Sequence, residues 1–189
     1  VTTTKDRILD ASFELFRRQG LTGTGIKQIL AQADAPFGSL YHHFPGGKDQ
    51  LAAETIKRAG AYYGQLVAET IAEHPDVVSG IRGAFISAGE ALEETGYADA
   101  CPVETVALEV ASTNEPLRQA TAEVFDSWVA ALTALLTHDG VEPTKARALA
   151  HTIISALEGA FVLARATRRT DALDACADAM ASLVEAALR

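Results

Sequence analysis

Two cysteines, one methionine and one tryptophan are all that this 189-residue chain holds of those types, and each scarcity closes off a class of protein. Cys101 and Cys176 stand 75 positions apart, which fits neither a zinc-ligand spacing nor a disulfide scaffold. Two reduced thiols in or near a core are expected, with no metal site and no cofactor. No apolar run approaches the ~18 residues of a membrane span. The opening residues lack the charged-then-apolar pattern of a signal peptide. No membrane partner is expected, and a soluble cytoplasmic location is. Positive charge is also scarce, with 16 Lys/Arg against 25 Asp/Glu and a net charge of −9. Taken whole, that balance argues against a partner rich in phosphate.

The distribution reverses the argument. Residues 1–58 carry eight Lys/Arg and six Asp/Glu, a net of +2, while residues 59–189 carry eight and nineteen, a net of −11. A mildly basic head on an acidic body suits a protein that meets phosphate at one end only. Strand-like alternation never lasts more than a few residues, whereas helical periodicity runs nearly throughout. The chain is therefore expected to be all-α. The first helix should span Thr4 to Gln19, capped by Thr4, with Leu9, Phe13 and Phe16 inward and Gly20 ending it. Thr24 caps a short second helix, and Pro36 starts a third. Pro45-Gly46-Gly47 breaks the third helix, and a long fourth runs from Lys48 to Glu73. Further helices are expected over 77–94, 103–112, 116–137, 143–168 and 171–187, bordered by Pro75, Gly96, Pro102, Pro116, Gly140 and Thr170.

Two short helices joined by a tight turn at Gln32-Ala33-Asp34 form a helix-turn-helix, whose second helix is shaped to enter the major groove. That helix carries Phe37-Gly38-Ser39-Leu40-Tyr41-His42-His43-Phe44. Leu40 and Phe44, four apart, should face Ile26, Ile29, Leu9 and Phe13. Phe37, Gly38, Ser39, Tyr41 and His42 then lie on or beside the outer face. Small Gly38 lets the backbone approach another surface. Phe37 suits a thymine methyl and Ser39 a phosphate or base edge. Plainer readings stand beside these: Phe37 as a staple at its own helix start, and His42 as an ordinary surface histidine.

The stretch from Lys5 to Lys48 resembles the DNA-binding domain of the TetR family of transcriptional repressors. The resemblance is carried by Ile8-Leu9-Asp10-Ala11-Ser12-Phe13-Glu14-Leu15-Phe16 with Gly20, by Thr24 and Ile26-Lys27-Gln28-Ile29, and by Gly38 to Phe44 with Lys48. Cys101-Pro102-Val103-Glu104-Thr105 is similar to a segment of the LmrA/YxaF-like branch. The sequence departs from the family at Ala35, commonly valine, and Pro36, commonly a small hydroxylated residue. The resemblance implies that Tyr41 and His42 reach phosphates. It makes Thr24, Lys27, Phe37, Gly38, Ser39, Tyr41, His42 and Lys48 the candidate DNA contacts. It also implies a three-helix DNA-binding domain over 1–47 and a larger helical effector-binding and dimerisation domain over 48–189. The expected partners are double-stranded operator DNA, a small-molecule effector and a second copy of the chain.

In the body, Phe85, Phe125 and Trp128 are candidates for an apolar effector pocket, the alternative being ordinary core. Glu104 and Glu109 are candidates to meet a cationic effector, Glu104 equally a favourable charge at a helix N-terminus. The last two helices place Ile153, Leu157, Ala160, Phe161, Ala164, Leu183 and Val184 on apolar faces suited to a two-fold four-helix interface. The competing possibility is that these faces close the protomer's own core. The expected function is a ligand-responsive repressor of a palindromic operator, released by an apolar effector. An all-helical enzyme is the rival from another class. His151, Glu158 and Asp126 are available, yet no nucleophile–base–orienter set appears, so no enzyme is expected. An activator, or a regulator needing a co-repressor, would carry the same pattern.

Overall fold

The computed structural model describes residues 2–189, and among them every regular element is helical. Nine helices follow one another: α1 Thr4–Gln19, α2 Ile26–Gln32, α3 Gly38–His43, α4 Gly47–Ala72, α5 Val77–Glu94, α6 Pro102–Val110, α7 Glu115–His138, α8 Pro143–Thr167 and α9 Asp171–Leu188. These bounds follow the sequence expectation closely, because Gly and Pro punctuate nearly every border.

The chain packs into two compact units. One comprises residues 1–61 and 101–124, the other 62–100 and 125–189. The expected boundary after residue 47 is therefore not where the packing divides. The first half of α4, all of α6 and the start of α7 belong with α1–α3.

In the first unit, α2, α3 and α6 pack on α1. Ile8, Phe16, Ile29, Leu40, Phe44, Leu51 and Ile56 are fully buried. Phe13, expected inward, is only half-buried; Ile8 and Leu15 take the core positions instead. Thr3, not Thr4, caps α1. Its hydroxyl accepts from the Asp6 N–H at 3.1 Å, and its own N–H donates to the Asp6 carboxylate at 3.2 Å, completing a capping box. Ion pairs from Arg58 to Asp6 and Asp10, and from Lys5 to Glu54, tie α1 to α4.

In the second unit, α9 packs along α5 and α8, around a core of Ile81, Phe85, Leu92, Leu136, Ile153, Leu173 and Val184. Asp76 caps α5 by accepting from the Ser79 N–H, and Glu142 caps α8 by accepting from Thr144 and Lys145. Arg165 of α8 donates to the carbonyls of Tyr97 and Ala98, holding the link in which Gly96 and Tyr97 both take positive φ. By length and average composition α8 is apolar enough to cross a membrane, although Arg147, Glu158 and Arg165 interrupt it and no apolar run in it approaches ~18 residues. Its inner face, at Ala146, Ala150, Ile153, Ala160 and Ala164, is buried in the core. The apolarity therefore serves helix packing on that side. Cys101 is buried and Cys176 half-buried, and neither forms a disulfide.

Candidate nucleic-acid interface

The site is built on the first unit. Arg7 of α1 reaches the turn between α2 and α3, donating from Nε to the Ala33 carbonyl at 2.9 Å and from its terminal nitrogen to that of Asp34 at 3.1 Å. Asp34 takes φ of 46°, a left-handed value that lets the chain reverse in few residues. This guanidinium sets the angle between the two helices. The sequence reading passed over it, counting Arg7 only as a charge.

The approach to α3 is tighter than an α-helical start. Ser39 N–H donates to the Pro36 carbonyl and Leu40 N–H to that of Phe37, both i→i+3 bonds. α3 proper opens at Gly38 and not at Pro36. Leu40 and Phe44 are fully buried, and Lys5 lies 5.4 Å from the Phe44 ring centroid. With those two residues pinned inward, the outer face of α3 is fixed. Phe37 is 58% exposed and Tyr41 54% exposed. Gly38 and His42 are exposed and Ser39 half-exposed. A methyl group placed on Gly38 would meet no atom within 4 Å. Lys27 is exposed on α2.

Tyr41 leans toward the turn into α4, its ring 3.6 Å from where a Cβ on Gly47 would stand. Gly47 has φ of 68°, strained for any side chain. Lys48 follows at once, half-buried, its ammonium donating to the Leu21 carbonyl at 2.7 Å. Tyr41, the start of α4 and Lys48 thus share one edge of the unit.

One candidate contact does not belong there. Thr24 is 1% exposed, and its hydroxyl donates to the Gly20 carbonyl at 2.6 Å. It can touch neither base nor phosphate. It does not cap α2 either, since Gly25 occupies that position without a side-chain bond. A buried hydroxyl must find a partner, and the nearest carbonyl is one turn back.

The body candidates scatter. Phe85 is 1% exposed and packs in the core of the second unit, the ordinary-core alternative. Phe125 and Trp128 are half-buried and pack edge-to-face, centroids 5.5 Å apart. The Trp128 indole lies over Gly64 of α4, 3.2 Å from where a Cβ would be. Glu104 lies in the first turn of α6, where a negative charge suits the helix dipole. Glu109 is bonded to Thr22 rather than turned to an effector.

Of the dimer candidates, Ile153, Ala160, Ala164 and Val184 are buried within the protomer. Leu157 and Phe161 are half-buried against the same core, and only Leu183 is exposed. The expected face is largely the inner one. The outer face of α8 instead presents Ala148, Thr152, Ser155, Gly159, Val162 and Ala166. No group of metal-ligating side chains occurs among the described residues.

An exposed recognition helix braced by a second short helix, with a lysine at the start of the next, defines a helix-turn-helix DNA-binding protein. Comparison with known proteins gives the family. Residues 8–55 match the model of the bacterial regulatory proteins of the tetR family, and residues 77–179 match that of the LmrA/YxaF-like transcriptional regulator C-terminal domain. The chain is 31% identical over 169 residues to the HTH-type transcriptional regulator LmrA of Bacillus subtilis (strain 168), covering 89% of this chain and 90% of that one. It is 34% identical over 159 residues to YxaF of the same organism, an uncharacterized HTH-type transcriptional regulator, covering 84% and 83%. A TetR transcriptional regulator from Chloroflexus aurantiacus superposes with a TM-score of 0.80 at 27% identity, over 96% of this chain and 94% of that one. The chain belongs to the TetR family of transcriptional regulators, in its LmrA/YxaF-like group. It is a regulator and not an enzyme.

Proposed function

We propose that this regulator is a repressor that binds a palindromic operator as a homodimer in the cytoplasm and is released by a small apolar effector. Gly38 carries the DNA reading. Nothing inside the protein needs a glycine there, since the space above it is empty and its φ is not in the left-handed region. The space and the backbone would both admit a side chain at this opening residue of α3, so a glycine there fits close approach to a base edge. Phe37, Ser39, Tyr41 and His42 flank it, and Lys27 and Lys48 supply cations to the backbone. Gly38→Ala is expected to leave the melting temperature unchanged or slightly raised while weakening operator binding in a gel shift. Unchanged operator affinity would contradict the reading.

Gly159 supports the dimer in the same way. It lies inside α8 with no atom within 4 Å of a built Cβ. The exposed residues around it, Ala148, Thr152, Ser155, Val162 and Ala166, recur at alternating intervals of four and three. That heptad spacing suits a second helix crossing at a shallow angle. On α9, Ala175, Ala179, Ser182, Leu183 and Ala186 are exposed. The effector seat is assigned beside Phe125 and Trp128. Trp128 is the chain's one tryptophan, so a bound effector should alter its emission. Unchanged emission on addition of an effector that releases DNA would move the seat elsewhere.

A further inference from the structure

Hydrogen bonds link Lys48 to helix α6 by two routes, all within the first unit. From α6, the Glu109 carboxylate accepts from the Thr22 N–H at 2.9 Å and from its hydroxyl at 3.3 Å. Thr22 is bonded through the chain to Leu21, whose carbonyl accepts from the Lys48 ammonium at 2.7 Å. Lys48 is followed by Asp49, whose carboxylate accepts from the Asn114 side-chain amide at 2.9 Å. Asn114 N–H in turn donates to the carbonyl of Val110, the last residue of α6. The circuit closes on itself: Glu109, Thr22, Leu21, Lys48, Asp49, Asn114 and back along α6.

Gly20 makes room for it. A Cβ on Gly20 would stand 2.1 Å from Glu109 Oε1, and its φ of 72° already excludes most side chains. The loop is therefore shaped to admit that carboxylate. Asn114 also has two duties, because its side-chain oxygen accepts from the Leu117 N–H at the start of α7 while its NH₂ serves Asp49.

We infer that Glu109 and Asn114 are positioning residues for the DNA grip, holding Lys48 ready for phosphate through this ring; the inference rests on the DNA-binding reading above. A lysine ammonium has three donors. Leu21 takes one and fixes the side chain, leaving two for a backbone phosphate. The freedom a lysine would otherwise lose on binding is already lost in the free protein. Any displacement of α6 acts first on these two bonds, and through them on Lys48.

The test is a double-mutant cycle on the full chain, read by anisotropy titration of a labelled random-sequence duplex pool at several salt concentrations. Glu109→Ala should weaken binding about two- to tenfold, the range one net hydrogen bond supports. In a Lys48→Ala background it should have no further effect. Glu109→Gln, which keeps an acceptor for Thr22, should bind like the unaltered protein. Asn114→Asp keeps the α7 cap but sets a carboxylate against Asp49, so it should repeat the Glu109→Ala loss, again only when Lys48 is present. Amide exchange at Thr22 supplies a readout without DNA: faster in Glu109→Ala, protected in Glu109→Gln. Equal losses with and without Lys48, wild-type binding by Glu109→Ala, or failure of Glu109→Gln to rescue would overturn the ring while DNA binding stands. No binding of any duplex by the unaltered protein would overturn the DNA-binding reading itself, and the ring with it.

Discussion

Lys48 and Phe37 stand at opposite ends of the recognition segment and are expected to fail in different ways. Lys48 offers a point charge to phosphate, a contact that every sequence provides. Lys48→Ala should weaken binding to all duplexes alike and lower the salt slope by about one ion. Phe37 is an exposed apolar ring beside a glycine, suited to a thymine methyl. Phe37→Ala should change base preference at one or two positions per half-site while leaving the salt slope intact. Binding measured on a panel of single-base operator variants separates the two, and a uniform loss for Phe37→Ala would return that ring to a packing role. At this scale the sequence was legible where chemistry leaves one option. Leu40 and Phe44, apolar and four apart, had to turn inward, and that fixed the outer face. Thr24 was not legible, because a hydroxyl serves a carbonyl as well as a phosphate and only the return of the chain at Gly20 decides. Arg7 was passed over, and Glu109 was read as an effector contact, for a related reason. Their partners include backbone groups far along the chain, and no side-chain pattern marks a backbone donor or acceptor.

Helix borders were readable because Gly and Pro act locally, but helix faces were not always so. Both faces of α8 are apolar or small, so periodicity supports either as the core. The structure puts Ile153, Ala160 and Ala164 inside and leaves Gly159 and Val162 out. Gly159→Arg therefore meets open space in the protomer and should leave it folded. At a two-fold contact it would bury two unpaired like charges. Sedimentation should show a folded monomer with weakened operator binding, and a dimeric Gly159→Arg would place the interface elsewhere. Ile153→Arg should instead unfold the protomer.

The helix caps set the response to acid. Hydrogen bonds from Thr3 hold the Asp6 carboxyl below its ordinary value, and the Ser79 and Thr144 N–H groups do the same for Asp76 and Glu142. Hydrogen bonds from Arg118 and Gln119 bring Glu115 down to about 2. Each folded-state value is depressed, so each contribution is complete above the ordinary carboxylate range and is lost as pH falls through the folded values. The melting temperature should be level near neutrality and drop below about pH 4.5. Asp76→Ala should melt lower at pH 7, with the gap from the unaltered protein narrowing toward acid. A constant gap across that range would mean the cap acts without its charge.

At the scale of the molecule, α4 and α7 each contribute residues to both compact units, so an event in one has a covalent route to the other. An effector shifts the balance between DNA-competent and released states only by its unequal affinity for them, typically ~1–3 kcal/mol of coupling. Operator must then weaken effector binding by the same factor. Residues 1–58 carry a net charge of +2 and residues 59–189 a net of −11, a division suited to meeting phosphate at one end of the chain only. That division could be read from the sequence by counting. The grouping of α6 with the head could not, since it depends on contacts between residues about ninety positions apart.

The central claim, a two-fold reader of DNA through α3, is tested most directly by selecting duplexes from a random pool with the full-length protein and sequencing those retained. The account predicts an inverted repeat whose half-site centres lie about one turn of DNA apart, or slightly more. It also predicts that Gly159→Arg abolishes the two-fold symmetry of what is retained. Enrichment of a single unsymmetric element, or no enrichment over the starting pool, would contradict it.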